Sequence, residues 1–336
     1  MSDGPLVIAV PSKGRLQENA AAFFARAGLP LSQARGARDY RGSLPGVPGV
    51  EVLFLSAAEI VAQLAAGTAH LGVTGEDLLR EGVHDVESRL ELLTPLGFGS
   101  ANVVVAVPQS WIDVRTMADL DEVAHAMRAR HGRRVRVATK YVNLTRRFFA
   151  ETGVLEYLIV ESPGATEAAP QSGTADLIVD ITTTGATLAA NGLKVLDDGV
   201  ILRSEANLVA SLGARWGETA RAAARTVLGR IAAEELARTT REVRAGMDPG
   251  HPGLAEVTGR VGATRPAGRS SGPELVLHCG ADRVFDLVDG LIGLGAEDVT
   301  VHRRDYVFRI GDPMVGRLFG RLDQADCKLS LGAALP

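Results

Sequence analysis

Short apolar runs alternate with amphipathic stretches over the first 245 residues. Residues 6–10 predict a strand that ends in Pro11, Ser12, Lys13, Gly14 and Arg15, and a helix then runs to about Gly28. Residues 50–55 predict the next strand. Ser56 and Glu59 have the spacing of a capping box at the head of a helix that Gly67 ends. Residues 70–73 predict a third strand, which runs into Thr74, Gly75, Glu76 and Asp77 at a helix start. From Ala101 the pattern restarts, with strands at 102–107, 134–139, 157–160 and 177–181, a helix over about 116–130, and a helix capped by Asn143. Residues 194–196 and 200–212 predict strands returning toward the first lobe, and 218–244 one long helix. This alternation predicts an α/β chain with a mostly parallel sheet and ligands at the carboxyl ends of its strands. It divides into a first lobe (1–101 with 194–245), a second lobe (102–193), a Gly- and Pro-rich linker (246–273) and a small α+β module (274–336). In that module the pattern predicts a strand at 274–279, a helix at 281–294, and strands at 299–302 and 306–310.

Several strand ends carry candidate chemistry. After the apolar run at 177–181 come Thr182, Thr183, Thr184, Gly185, Ala186 and Thr187, small residues whose amides and hydroxyls at a helix start suit an anion. Asp180, just before them, suits sugar hydroxyls beside a bound phosphate. The same residues also suit an ordinary Thr-rich turn after a buried strand. Lys13 and Arg15 form a second anion candidate, or else a solvated basic turn. Lys140, Arg146 and Arg147 put cations at the head of the Asn143 helix, against its dipole, which costs stability unless an acid or a ligand lies nearby.

Composition narrows the function classes. The 336 residues are 46% hydrophobic, ample for large cores. A formal net charge of -4 and aromatics at 4% argue against a nucleic-acid surface. No run approaches the ~20 apolar residues of a membrane span. Cys279 and Cys327 cannot make a disulfide framework, no paired Cys/His spacing suggests zinc, and no leader precedes Leu6, so a cytoplasmic location is expected.

Four motifs in sequence resemble the ATP phosphoribosyltransferase family, the first enzyme of histidine biosynthesis. They are the turn around Lys13 and Arg15, the Leu71-to-Leu79 turn with Gly75, Glu76 and Asp77, the stretch from Ala138 to Arg147, and the run from Ala175 to Leu188 followed by Asn191 and Gly192. The resemblance covers about the first 245 residues. It implies two periplasmic-binding-protein-like (type II) α/β lobes, a homo-oligomer (dimer or hexamer), and a Mg²⁺-dependent reaction joining N1 of ATP to C1 of phosphoribosyl pyrophosphate (PRPP). By similarity Glu167, Asp180, Thr183, Thr184, Gly185, Ala186 and Thr187 would bind PRPP. Gly75, Glu76, Asp77 and Tyr141 would meet ATP, and Lys13, Arg15 and Lys140 would serve the reacting polyphosphate. Mg²⁺ would arrive on PRPP or ATP, so no protein-side metal ligands are expected. His70 stands where the family often has Asp, and Asp180 is followed by Ile181, not the second adjacent acid of another phosphoribosyltransferase class. The C-terminal module resembles the histidine-sensing domain of long-form members only weakly, and an oligomerisation domain suits it equally. A two-lobed binding or effector-sensing protein without turnover is the alternative for the whole chain.

Overall fold

The protein is described here by a computed structural model covering residues 3–33, 40–162, 164–266 and 274–332, with backbone alone from 325 onward. Residues 267–273 of the expected linker and 333–336 of the expected C-terminal module lie outside the described residues, and Cys327 falls in the backbone-only stretch. Among the described residues the strands form three sheets.

The first runs in the order β2 (Ser32–Gln33), β3 (Arg41–Ser43), β4 (Val50–Leu55), β1 (Leu6–Pro11), β5 (Leu71–Gly75), β12 (Ala206–Ser211), β6 (Leu90–Pro95). The second runs β11 (Leu193–Ser204), β7 (Ala101–Pro108), β10 (Leu177–Thr182), β8 (Val135–Thr139), β9 (Tyr157–Glu161). The third is β14 (Glu274–Gly280), β13 (Thr240–Gly246), β15 (Val299–His302). In chain order the helices are α1 (Gly14–Arg26), α2 (Ala57–Ala66), α3 (Glu76–Gly82), α4 (Val86–Arg89), α5 (Met117–His131), α6 (Val142–Glu151), α7 (Ala186–Ala190), α8 (Glu218–Thr239), α9 (Leu254–Val261), α10 (Val284–Gly293) and α11 (Pro313–Gly332).

Local rules account for much of this. Ser56 and Glu59 close the capping box of α2 reciprocally, and Gly67 ends that helix in the left-handed conformation. The centre of each large sheet is parallel: β1 pairs with β4 and β5, and β8 with β9 and β10. The sheets are nevertheless mixed rather than mostly parallel. β12 runs antiparallel to β5 and β6, and β7 antiparallel to β10 and β11, because these strands carry the chain between the sheets without a helix to turn it round. The chain crosses once between β6 and β7 and returns between β11 and β12. Two α/β lobes joined by a double crossing make the type II periplasmic-binding-protein-like arrangement.

Four sequence expectations need correction. Residues 194–204 do not return to the first lobe: β11 pairs with β7 in the second sheet, and only β12 crosses back. The long helix stops at Thr239, not Arg244, because Thr239 and Thr240 turn their hydroxyls onto the last helical carbonyls and the alternating residues that follow pair as β13. Within the expected linker, Leu254, Val257 and Val261 recur at helical spacing and bury one face of α9. Finally, 306–310 is no strand but an extended strap along the first lobe, with the Val307 amide on the Ala233 carbonyl and the Tyr306 hydroxyl on the Arg26 carbonyl. It leads into α11, whose Met314, Leu318, Phe319 and Leu322 join the same core as Leu6, Ile8 and Phe24 of the first lobe. Four apolar residues at i, i+4, i+5 and i+8 are a thin stripe in a Gly- and Arg-containing stretch, and that pattern hid the helix.

Candidate active site

β10 is fixed first. Leu177, Ile178 and Val179 are buried in the second lobe, and Asp176 beneath them is held by Arg133 and Arg136 at 2.7 and 3.2 Å. The strand therefore delivers Asp180 to its carboxyl end. The turn beyond it is held by its own residues: the Gly185 amide donates to the Thr182 hydroxyl at 2.8 Å, and the Thr183 hydroxyl donates to the Ser100 carbonyl at 3.0 Å. Gly185 sits at φ 77°, which a side chain would resist. Its amide is thus spent within the turn, so the cradle offers fewer donors than a run of consecutive free amides.

A cavity of about 350 Å³ opens here, lined by Ala101, Glu167, Asp180, Ile181, Thr182, Thr183, Thr184, Ala186, Thr187 and Leu188. Six of the seven residues expected at the phosphoribosyl end come together on it; Gly185 shapes the turn without lining the wall. Glu167 arrives from a separate loop, on a single helical turn entered through Ala165 at φ 50°, a left-handed conformation uncommon for alanine. Such strain persists only where the surroundings impose it.

The electrostatics of the cavity are mixed. Burial raises the Asp180 carboxyl above its ordinary value, and the Glu167 charge adds to that, while the Ile181 amide at 2.8 Å and the Lys140 ammonium oppose it. Lys140, on the β8–α6 turn, lies over the Tyr141 ring at 5.1 Å. Asp180 is therefore acted on by both Glu167 and Lys140.

In the first lobe, the carboxyl ends of β1, β4 and β5 are aligned by their parallel register. Lys13 and Arg15 are exposed at the end of β1, and among the described residues neither makes an ion pair. At the end of β5, Gly75 leads into α3. A side chain at Gly75 would meet the Asp77 carboxylate at 2.3 Å.

The expected nucleotide group behaves differently. Glu76 pairs with Arg80 at 2.6 Å. Asp77 is 7% exposed, and its carboxylate accepts from the Tyr141 hydroxyl at 2.7 Å and from the Ser204 hydroxyl at 2.9 Å. Tyr141 is 1% exposed. Burial first, and then the Asp77 charge, hold its phenol protonated far above the ordinary range. Asp77 and Tyr141 thus face each other across the lobes rather than the Asp180 cavity. Nor does Asn143 cap α6: its own amide donates to Glu81 of the first lobe. Sequence reasoning passed over Ser204 and Glu81. The second was findable, since Asp77 and Glu81 lie four apart on one face of α3. His70 is a structural residue, its two ring nitrogens bonded to the Val7 amide and the Arg215 carbonyl, each at 3.0 Å.

Residues 56–233 match the family model described as ATP phosphoribosyltransferase. The ATP phosphoribosyltransferase of Nitrobacter hamburgensis is 61% identical over 318 residues, spanning 94% of this chain and 97% of that one. The Bradyrhizobium sp. enzyme of the same name is 59% identical over 319 residues, 94% of this chain and 98% of its own. Among solved structures, the ATP phosphoribosyl transferase (HisG:HisZ) complex from Thermotoga maritima superposes with a TM-score of 0.51 at 25% identity, over 67% of this chain and 95% of that one. With the double crossing, the Thr182-to-Thr187 turn and these relatives in agreement, the chain belongs to the ATP phosphoribosyltransferase family.

Proposed function

We propose a division of labour in the cleft for the reaction of this family, transfer of the phosphoribosyl group of PRPP to N1 of ATP with release of pyrophosphate, the first step of histidine biosynthesis. The observation that carries it is the meeting of Asp180, Glu167 and the Thr-rich turn on one cavity, with the Lys140 charge acting on Asp180. The turn holds the 5-phosphate of PRPP through Thr183, Thr184, Ala186 and Thr187, with Gly185 setting its shape. Asp180 and Glu167 hold the ribose hydroxyls and face the positive charge that develops on the sugar as the C1–O bond to pyrophosphate breaks. Lys13, Arg15 and Lys140 take the negative charge that accumulates on the departing pyrophosphate. Adenine N1 brings its own lone pair to C1, so orientation between the lobes replaces a general base. Gly75 and Glu76 border the nucleotide side, and Asp77 and Tyr141 serve it by fixing the lobes around it.

Mg²⁺ belongs with the substrate in this reading. Two acids on one cavity suit the outer waters of an ion carried in by PRPP. The first lobe is formed by 3–95, 206–239 and the C-terminal helix, the second by 101–204, and the third module by 240–302. The chain works as a cytoplasmic homo-oligomer, a reading that the exposed Phe308 and Ile310 support. Among the described residues no helix is long and apolar enough to cross a membrane. The third module, with a core of its own, either senses histidine or mediates assembly. Rates with and without histidine, on the full chain, separate the two.

Incubation with ATP, PRPP and Mg²⁺, followed by the ultraviolet change of N1-alkylated adenine, tests the reaction. Lobe closure on ligand without any product is what a pure binding protein would give, and it would overturn this reading.

A further inference from the structure

The head of α6 is held by the opposite lobe. Tyr141, the residue before the helix, supplies no side-chain cap. The Asn143 amide donates instead to the Glu81 carboxylate at 2.9 and 3.1 Å, and the Leu144 amide donates to it at 3.0 Å. A further link runs in the same direction, the Asn143 side-chain amide donating to the Glu81 main-chain carbonyl at 2.9 Å. The bonds to the carboxylate are charge-assisted and come from main-chain amides that have no partner within the helix.

The residues between β8 and α6 are pinned one after another. The Tyr141 amide donates to the Thr139 hydroxyl at 2.8 Å, the Tyr141 hydroxyl donates to Asp77, and the next two helical amides to donate go to Glu81. Lys140 lies inside this pinned run, with its ammonium acting on Asp180. The exposed Lys140 side chain lies over the Tyr141 ring, and the backbone that follows it is held by these bonds. An acid of the first lobe thereby fixes where a cation of the second lobe starts from.

We infer that Glu81 is a positioning residue for phosphoribosyl transfer: by capping α6 across the lobes it sets the β8–α6 turn, and through that turn the reach of Lys140 toward Asp180. The inference rests on the reading of Lys140 as the cleft cation. It differs from a general stabilising role in one respect, that its effect on rate must pass through Lys140.

The test is a double-mutant cycle on the full-length chain, with kcat, both KM values and melting temperature measured for E81A, E81Q, K140A and E81A/K140A. Glu81→Ala should lower kcat about tenfold or more, with KM for ATP within about threefold of the parent. Glu81→Gln keeps an acceptor at nearly the same volume and should recover most of the rate, and it keeps the test open should the alanine variant fold poorly. In the Lys140→Ala background the alanine substitution at Glu81 should cost less than about twofold more, because the group it positions is gone. Losses that multiply in the double variant would overturn the inference, as would full activity of folded E81A beside an impaired K140A, or E81Q as slow as E81A. Full activity of K140A would overturn the reading of the cleft cation, and this inference with it.

Discussion

The phenol of Tyr141 in the second lobe donates to the Asp77 carboxylate of the first at 2.7 Å, and Ser204, just before the return crossing, donates to the other oxygen of the same carboxylate at 2.9 Å. One buried acid therefore joins both lobes and a crossing strand. Tyr141→Phe removes a donor while leaving Asp77 buried with a single side-chain partner, which costs about 1–3 kcal/mol. A lowered melting temperature with a native circular-dichroism spectrum is the expected result. Ser204→Ala should act in the same direction, and the double variant should be less than additive because both bonds serve one carboxylate.

Thr187 lines the Asp180 cavity at the first turn of α7. Loss of its hydroxyl should weaken PRPP and leave ATP largely alone. Thr187→Ala is expected to raise KM for PRPP about tenfold, the worth of one hydrogen bond to a charged group, while KM for ATP stays within about twofold. Steady-state rates with each substrate varied in turn check this. Equal losses for the two substrates would remove the 5-phosphate from the turn.

The pH dependence follows from the neighbours of Asp180. Its carboxyl is raised by burial and by Glu167, and lowered by Lys140. If the ionised form holds the ribose, kcat/KM for PRPP falls as pH drops through this raised value. Glu167→Gln removes a raising charge and should move that acid limb to lower pH. Lys140→Met removes a lowering charge and should move it to higher pH. Opposite displacements of one limb would be hard to produce from general damage, and pH–rate profiles of the two variants read it directly.

Much of this site could be read from the chain, and the reasons why the rest could not are physical. The Thr182-to-Thr187 turn, Asp180 and the Ser56–Glu59 capping box are local: each depends on residues within a few positions, so spacing alone announces it. Asp77 and Tyr141 stand out singly as polar residues beside helix starts, but their pairing as an inter-lobe joint spans 64 positions and has no local signature. Asn143 has the sequence look of a cap only if a helix caps itself, whereas the acceptor comes from Glu81, 62 positions earlier. The chain beyond β13 defeated periodicity for another reason. α9 is only eight residues long, and α11 buries so narrow a stripe that neither stands out from the Gly- and Arg-rich sequence around it.

Asp176 ties the start of β10 to the strand beside it and predicts acid behaviour of the fold. Desolvation alone would raise its carboxyl, but hydrogen bonds from Arg133 and Arg136 outweigh that and hold it at about 2. A depressed folded value contributes stability that is present above the unfolded carboxyl value and lost as pH falls toward 2. With both arginines partly solvated, the contribution is about 1–2 kcal/mol. Asp176→Asn should therefore lower the urea midpoint at pH 6 and converge on the parent protein near pH 2. A constant difference between the two proteins across that range would assign the effect to packing instead.

The last prediction concerns where the catalytic lobe ends in sequence. Leu318 is 0% exposed and lies in one core with Leu6, Ile8 and Leu208, although more than a hundred residues and a whole sheet separate it from β12. Arg317 and Arg321 flank it and both reach Glu91 at the edge of the first sheet, at 3.3 and 2.8 Å. α11 is thus part of the first lobe's covering layer and not an appendage of the third module. Leu318→Ala should cost about 2–5 kcal/mol, as large-to-small changes in packed cores do, and should lower the melting temperature of the catalytic lobe itself. The check is thermal unfolding followed by loss of activity. If activity and secondary structure of L318A melt together well below the parent, the helix supports the lobe that carries Lys13 and Arg15. If activity survives while only part of the secondary structure melts early, α11 belongs to the third module alone. The same packing makes truncation at about Ala245 an unsuitable way to free the catalytic lobes: it removes α11 from its place against α8 and β6, and both strands that pair with β13, and the shortened chain is expected to be insoluble.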